Sequence, residues 1–216
     1  MRKIVPLFLA VLLLFTACGN AVNTSPQPKD STTSSIALSS ILLEHLPDAT
    51  PVENLSLFDG LVNARIHNKI DQFIDYVKSQ TAFIGTLVDY ASVTVENNNK
   101  LTLVTLLEIR VDDPLCHSEK NTTLRAITVC SYQEDETGYS LTPGQIGDHG
   151  LDTIMNPYGF FVLESTENRS IHLNGEELCL SDLAEYTLQI RCDYDGEYIS
   201  YPNLISHLSP QALKQQ

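Results

Sequence analysis

The sequence predicts an α+β domain that is mostly β, entered through a leader that is not part of the fold. Three observations predict it. Apolar residues recur with a helical period from Phe58 to Val77. Runs rich in β-branched residues with a two-residue alternation then follow one another from Thr81 to Tyr201. Asn174-Gly175 and Asp195-Gly196 are tight-turn dipeptides between the later runs. A length of 216 residues fits one domain with a tail.

Residues 1–17 begin with the basic pair Arg2 and Lys3 and continue into the apolar run from Ile4 to Phe15. That run has the length of a signal-peptide core and falls short of the roughly 20 residues a membrane-spanning helix needs. Thr16, Ala17 and Cys18 follow, and this ending resembles the lipobox of bacterial lipoproteins. The resemblance implies cleavage after residue 17, acylation of Cys18 as with palmitate, and a lipid anchor on the extracytoplasmic face of the cell membrane. The segment 18–35 is rich in Ser, Thr, Asn and Pro and reads as a disordered tether. The domain proper is expected over 36–216, helical over 36–79 and strand-rich over 81–201.

Within it, Ile36 to Leu46 is a short apolar run read as a helix. Thr50 offers a cap, Pro51 suits the first helical position, and Glu53 completes a capping box, so an amphipathic helix is expected over 51–79. Its stripe is Phe58, Leu61, Val62, Ile66, Ile70, Phe73, Ile74 and Val77. Strands are expected at 81–96, at 101–111 up to Asp113-Pro114, at 123–132, at 158–164, on both sides of Asn174-Gly175, and at 185–192 and 197–201. A loop fills 133–156, and a short helix is expected over Pro202–Leu208. Two architectures fit five or more antiparallel strands after one helix. One is a closed, five-stranded OB-like barrel; the alternative is a cystatin-like sheet wrapped on the helix.

The runs FIDYVKSQTAFIGTLVDY, LTLVTLLEIRVDDPL, LRAITVCSY and NPYGFFVLES resemble secreted bacterial proteins with a netrin-like or TIMP-like OB barrel. The resemblance covers about 70–201. It implies that Gly85 is a barrel-strand glycine and that Tyr158 to Leu163 is a late barrel strand.

Four cysteines remain beyond the anchor: Cys116, Cys130, Cys179 and Cys192. No C-x-x-C occurs, so zinc-ribbon and thioredoxin chemistry are poor readings. The four are candidate disulfide partners in any of three connectivities, or small buried hydrophobes in strands. Cys116-His117 is adjacent in sequence, but neighbours on an extended strand point to opposite faces. The Gly147–Asp152 cluster around His149 reads as a solvated loop. Asp193-Tyr194-Asp195-Gly196-Glu197 reads as a hairpin turn, since Leu204 stands where a calcium loop needs its last Glu. No nucleophile-elbow, metalloprotease, P-loop or dinucleotide fingerprint is present. Neither a cofactor, nor a metal site, nor a catalytic residue is therefore expected.

The formal charge is −14, from 13 basic and 27 acidic residues. Loss of Arg2 and Lys3 with the leader would take it to −16. Such a surface repels phosphate, which argues against nucleic acid as a partner. The expected function is a membrane-anchored surface lipoprotein acting as a non-catalytic binding module for an unknown protein or small ligand. The alternative is an envelope hydrolase or Cys-dependent enzyme without a recognisable motif.

Overall fold

The computed structural model describes residues 31–53, 55, 58, 69–97, 100–135, 138–141, 154, 156–200 and 207–214. Two helices, α1 (Ser31–His45) and α2 (Ile70–Lys78), accompany eleven strands in this part of the chain. The strands are β1 (Thr50–Pro51), β2 (Thr81–Asn97), β3 (Lys100–Cys116), β4 (Thr123–Asp135), β5 (Gly138–Leu141), β6 (Tyr158–Ser165), β7 (Ser170–Leu173), β8 (Glu176–Cys179), β9 (Tyr186–Tyr194), β10 (Ile199–Ser200) and β11 (His207–Leu208). None of the described helices is long and apolar enough to cross a membrane.

The long strands β2 and β3 form an antiparallel hairpin, paired from Ala82 with Cys116 to Asn97 with Lys100. β4 pairs antiparallel with β3, β6 with β2, and β9 with β6. β9 then meets β4 in parallel, Ala126 opposite Tyr186 and Ile127 opposite Thr187. Among the described residues β2, β3, β4, β9 and β6 thus close into a ring. Closure removes the free edges that an open sheet would expose. An open sheet curled on one helix, the cystatin-like alternative, lacks that closing contact.

Phe83, Leu107, Ile109, Ala126, Phe161, Leu163 and Leu188 come from all five ring strands and form one buried cluster, the interior of the ring. Outside β2, β6 and β9, Phe73 and Val77 of α2 pack on Ile84, Phe160, Val162 and Cys192. Outside β2, β3 and β4, Leu38 and Leu42 of α1 and Leu46 just past its end pack on Val93, Val104, Leu106, Ile127 and Val129. Their four-residue spacing puts these leucines on one helical stripe. The β7–β8 hairpin joins this second outer layer through Leu173, with Leu180 just beyond it.

A register shift between Leu87 and Asp89 leaves Val88 unpaired in the β2–β3 ladder. Before it, Phe83 belongs to the interior cluster; after it, Ala91 and Val93 belong to the α1 side. One bulged residue exchanges the two faces of the strand. This is why the alternation in TAFIGTLVDYASVTVE is only partial.

Several sequence expectations need correction, among them the loop over 133–156, where β4 runs on to Asp135 and β5 spans Gly138–Leu141. Thr50 and Pro51 do not open a helix: they pair with Thr94 and Val93 at the edge of β2, and the Val52 amide donates to the Ser92 carbonyl at 2.9 Å. Helix α2 begins at Ile70 and keeps Ile70, Phe73, Ile74 and Val77 of the expected stripe; residues 59–68 lie outside the described residues. Asp113-Pro114 does not end the second strand. β3 runs through it to Cys116 because a register shift between Ala82 and Phe83 absorbs the proline, which has no amide to donate. At the C-terminus His207 and Leu208 are a strand paired with Ser200 and Ile199, and the expected helix over 202–206 lies outside the described residues. The short helix expected at 36–46 is present as α1, which starts at Ser31 inside the segment read as tether.

Candidate functional site

Three residues lie in one row across the outer face of the ring. Glu108 of β3 stands directly opposite Asp89 of β2 and directly opposite Arg125 of β4. Opposed residues in antiparallel strands share a face with Cβ atoms ~5 Å apart. Arg125 donates from Nη2 to Glu108 Oε1 at 3.1 Å. Asp89 is buried; its Oδ1 accepts from the Tyr90 amide at 2.9 Å, and its Oδ2 is buried without a hydrogen-bond partner.

Above this row passes the turn that leads from β8 into β9. It makes a 3-10 turn at Leu180–Asp182 and is pinned from several sides. The Leu180 amide donates to the Arg169 carbonyl at 2.9 Å, Thr166 Oγ1 donates to the Ala184 carbonyl at 2.6 Å, and the Thr166 amide donates to the Glu185 carbonyl at 3.0 Å. Arg169 in turn holds Thr187 at 2.9 Å and Glu164 at 3.3 Å. Leu183 and Ala184 are buried by this arrangement, whereas Asp182 and Glu185 remain exposed.

Between the turn and the strands is an open cavity of about 430 Å³, lined by Glu108, Thr123, Arg125 and residues 181–185. It lies where β4 and β9 make the parallel contact that closes the ring. Its titratable walls are the carboxylates of Glu108, Asp182 and Glu185 and the guanidinium of Arg125. Such walls can take up cationic or multiply hydrogen-bonding groups.

The residues singled out from sequence do not converge here. Cys18, His149 and the Gly147–Asp152 loop lie outside the described residues. Cys116, Cys130 and Cys192 are buried and Cys179 is exposed. The register keeps the members of the two local candidate pairings apart. Cys130 stands opposite Leu103, so Cys116 is thirteen residues further along β3, ~43 Å of strand at ~3.3 Å per residue. Cys192 is packed beneath α2, while Cys179 sits on the separate β7–β8 hairpin. Cys116 also belongs to the core under α2, and its Sγ donates to the Leu213 carbonyl at 2.9 Å. Burial pushes its thiol above the ordinary value, with Lys78 pulling weakly the other way. His117 is exposed at φ 47° and its Nε2 lies 3.1 Å from the Lys78 carbonyl. The two neighbours therefore do not make a Cys–His catalytic pair. Asp195 Oδ1 accepts from the Glu197 and Tyr198 amides at 2.9 and 2.7 Å, the hairpin turn expected there.

Glu108, Arg125, Asp182 and Glu185 escaped the sequence reading. Asp182-x-x-Glu185 carries a weak turn signal, but the apposition of Glu108 with Arg125 depends on strand register, which short-range pattern does not encode. Comparison with protein-family models, with curated proteins and with solved structures finds no match to this chain.

Proposed function

We propose that this chain is a lipid-anchored, non-catalytic binding module on the bacterial cell surface, joined to the membrane through Cys18. The observation that carries the proposal is the order of the leader: a basic pair, an apolar run of signal-peptide length, then Thr16-Ala17-Cys18. A strongly acidic chain, −14 overall and −16 once Arg2 and Lys3 leave with the leader, fits a domain held by lipid and kept off anionic headgroups. We read the ring as an OB-like barrel of the netrin or TIMP kind. What supports this is the closed five-strand ring in which the last two strands exchange places, so that β9 lies beside β4 and β6 beside β2. The binding reading draws support from a concave polar cavity on the barrel wall and from the separation of Cys116 and His117.

The test is metabolic labelling with an alkynyl palmitate in a bacterial host, followed by membrane fractionation. The native chain takes up label and sediments with membranes, and Cys18→Ala does neither. Equal labelling of both chains, or none of the native chain, removes the anchor from the proposal. Turnover of a peptide, glycan or ester library by the purified full chain removes the non-catalytic reading.

A further inference from the structure

We propose that the outer face around Tyr158 and Tyr194, at the margin of α2, binds an uncharged β-1,4-linked hexose chain. This gives the binding-module reading a ligand class and rests on that reading. Tyr158 of β6 stands directly opposite Thr86 of β2, and Thr86 directly opposite Arg110 of β3. Tyr158 lies two residues before Phe160, which packs beneath α2, so this row shares the outer face of the ring. Tyr194 of β9 is half-buried against the same α2 core, and its ring centroid is 6.0 Å from that of Tyr158. Tyr158 itself is 47% exposed.

The platform is fixed before a ligand arrives. The Arg191 side chain, only 6% exposed, donates from Nη2 to the Asn156 and Tyr158 carbonyls at 3.0 and 3.2 Å. A Cβ on Gly159 would stand 3.2 Å from the Arg191 Nε and 2.8 Å from the Cys192 carbonyl oxygen, so the glycine leaves room for that guanidinium. The Tyr194 hydroxyl donates to the Gly196 carbonyl at 2.7 Å. Groups held beforehand lose little freedom when a ligand settles on them.

Charge and hydrogen bonding select the occupant. The chain carries 27 acidic and 13 basic residues, yet each strand carboxylate around Tyr158 has its own cation. Asp112 pairs with Arg110 at 2.8 Å, Asp113 with Lys214 at 3.3 Å, and Asp193 with Arg191. Burial, then Tyr194, Asp112 and Asp113, raises the Tyr158 hydroxyl above its ordinary value, which sets those groups about one phenol. A local balance of charge in so acidic a chain suits a neutral partner. Thr86 Oγ1 donates to Asp112 Oδ2 at 2.5 Å, and Arg110 keeps N–H groups beyond the Nε bonded to Asp112. Acceptor and donor thus lie side by side, as two neighbouring hydroxyls require, next to a ring for the C–H face of a sugar. A β-1,4-linked hexose chain is flat and extended and keeps that hydroxyl pair on every ring; an acetamido group replaces one of the two.

The experiment is an amide-shift NMR titration of the full chain in a polyoxyethylene detergent, which carries no sugar. The probe is cellohexaose. The controls are an anionic galacturonate hexamer, a cationic glucosamine hexamer and an N-acetylglucosamine hexamer. Cellohexaose is expected to saturate, to shift Thr86, Arg110, Tyr158 and Tyr194, and to bind more tightly than all three controls. Tyr158→Ala is expected to bind it about tenfold more weakly, whereas Tyr158→Phe, which keeps the ring, binds as the native chain does. Tyr90→Ala removes an exposed ring elsewhere on β2 and is expected to leave binding unchanged. Failure of cellohexaose to saturate a folded native chain overturns the inference. Tighter binding of any control, or equal weakening by Tyr158→Ala and Tyr90→Ala, overturns it too. Those results leave the anchored-module reading standing; loss of palmitate label or turnover of a substrate strikes that reading instead.

Discussion

Phe83 of β2 and Phe161 of β6 face each other inside the ring, their centroids 5.7 Å apart and their planes 23° from parallel. Both are fully buried. Two residues further along β2, Gly85 lies opposite Gly159 of β6. A Cβ on Gly85 would stand 2.4 Å from the Arg110 carbonyl oxygen and 2.8 Å from the Phe83 ring. The glycine is there because the ring and the neighbouring backbone occupy its side-chain space. Gly85→Ala should therefore destabilise the fold by about 2–3 kcal/mol, as overpacking of a tight core does. Urea unfolding of the two chains measures it. An unchanged midpoint would mean that the β2–β3 backbone gives way at no cost.

The aromatic pair itself predicts a larger loss. Phe161→Ala removes the stacked partner of Phe83 from a cluster to which all five ring strands contribute. The expected cost is about 3–5 kcal/mol, including the cavity it leaves. Phe161→Leu should cost distinctly less because it keeps most of the volume. Thermal and urea denaturation followed by far-UV circular dichroism would order the three chains.

Much of this ring of strands is legible in sequence, because strands carry their period locally. The alternation in LTLVTLLEIRV puts Leu107 and Ile109 on one face, and those residues do meet inside the ring. Asn174 and Gly175 take φ 54° and 85°, as their turn dipeptide requires. What escaped depends on contacts distant in sequence. Thr50-Pro51 carries a sound helix-start signal, yet its backbone is captured by the edge of β2 forty-odd residues away. The cavity is less legible still. Glu108 and Arg125 look like ordinary outward strand residues until register sets them opposite one another and the 181–185 turn passes above them.

The thiols make a third prediction. In the Cys18→Ala chain, native iodoacetamide should modify Cys179 and spare Cys116, Cys130 and Cys192, which are buried. Urea should then release the remaining three for alkylation without any reductant. Intact mass reads both steps. Protection that requires reductant to lift, with a loss of two hydrogens per bridge, would restore a disulfide among these residues.

The hairpin at Asp195 makes the last prediction, and it concerns pH. Amide donation from Tyr198, then from Glu197, holds the exposed Asp195 carboxyl below its ordinary value of 3.8. The bonds favour the charged form, so the folded chain binds the proton less readily than the unfolded one. The resulting stabilisation is fully present above pH 3.8 and is lost as pH falls through the lowered folded value. Asp195→Asn keeps an oxygen acceptor without the charge, and Asp195→Ala removes both. At neutral pH the native chain should unfold at higher urea than either variant. Acidification should close the gap to Asp195→Asn while a gap to Asp195→Ala persists, since a protonated carboxyl still accepts through its carbonyl. Urea midpoints of the three chains from pH 7 down to the acid limit of the fold test this. A gap to Asp195→Asn that does not narrow would show that the turn gains nothing from the charge.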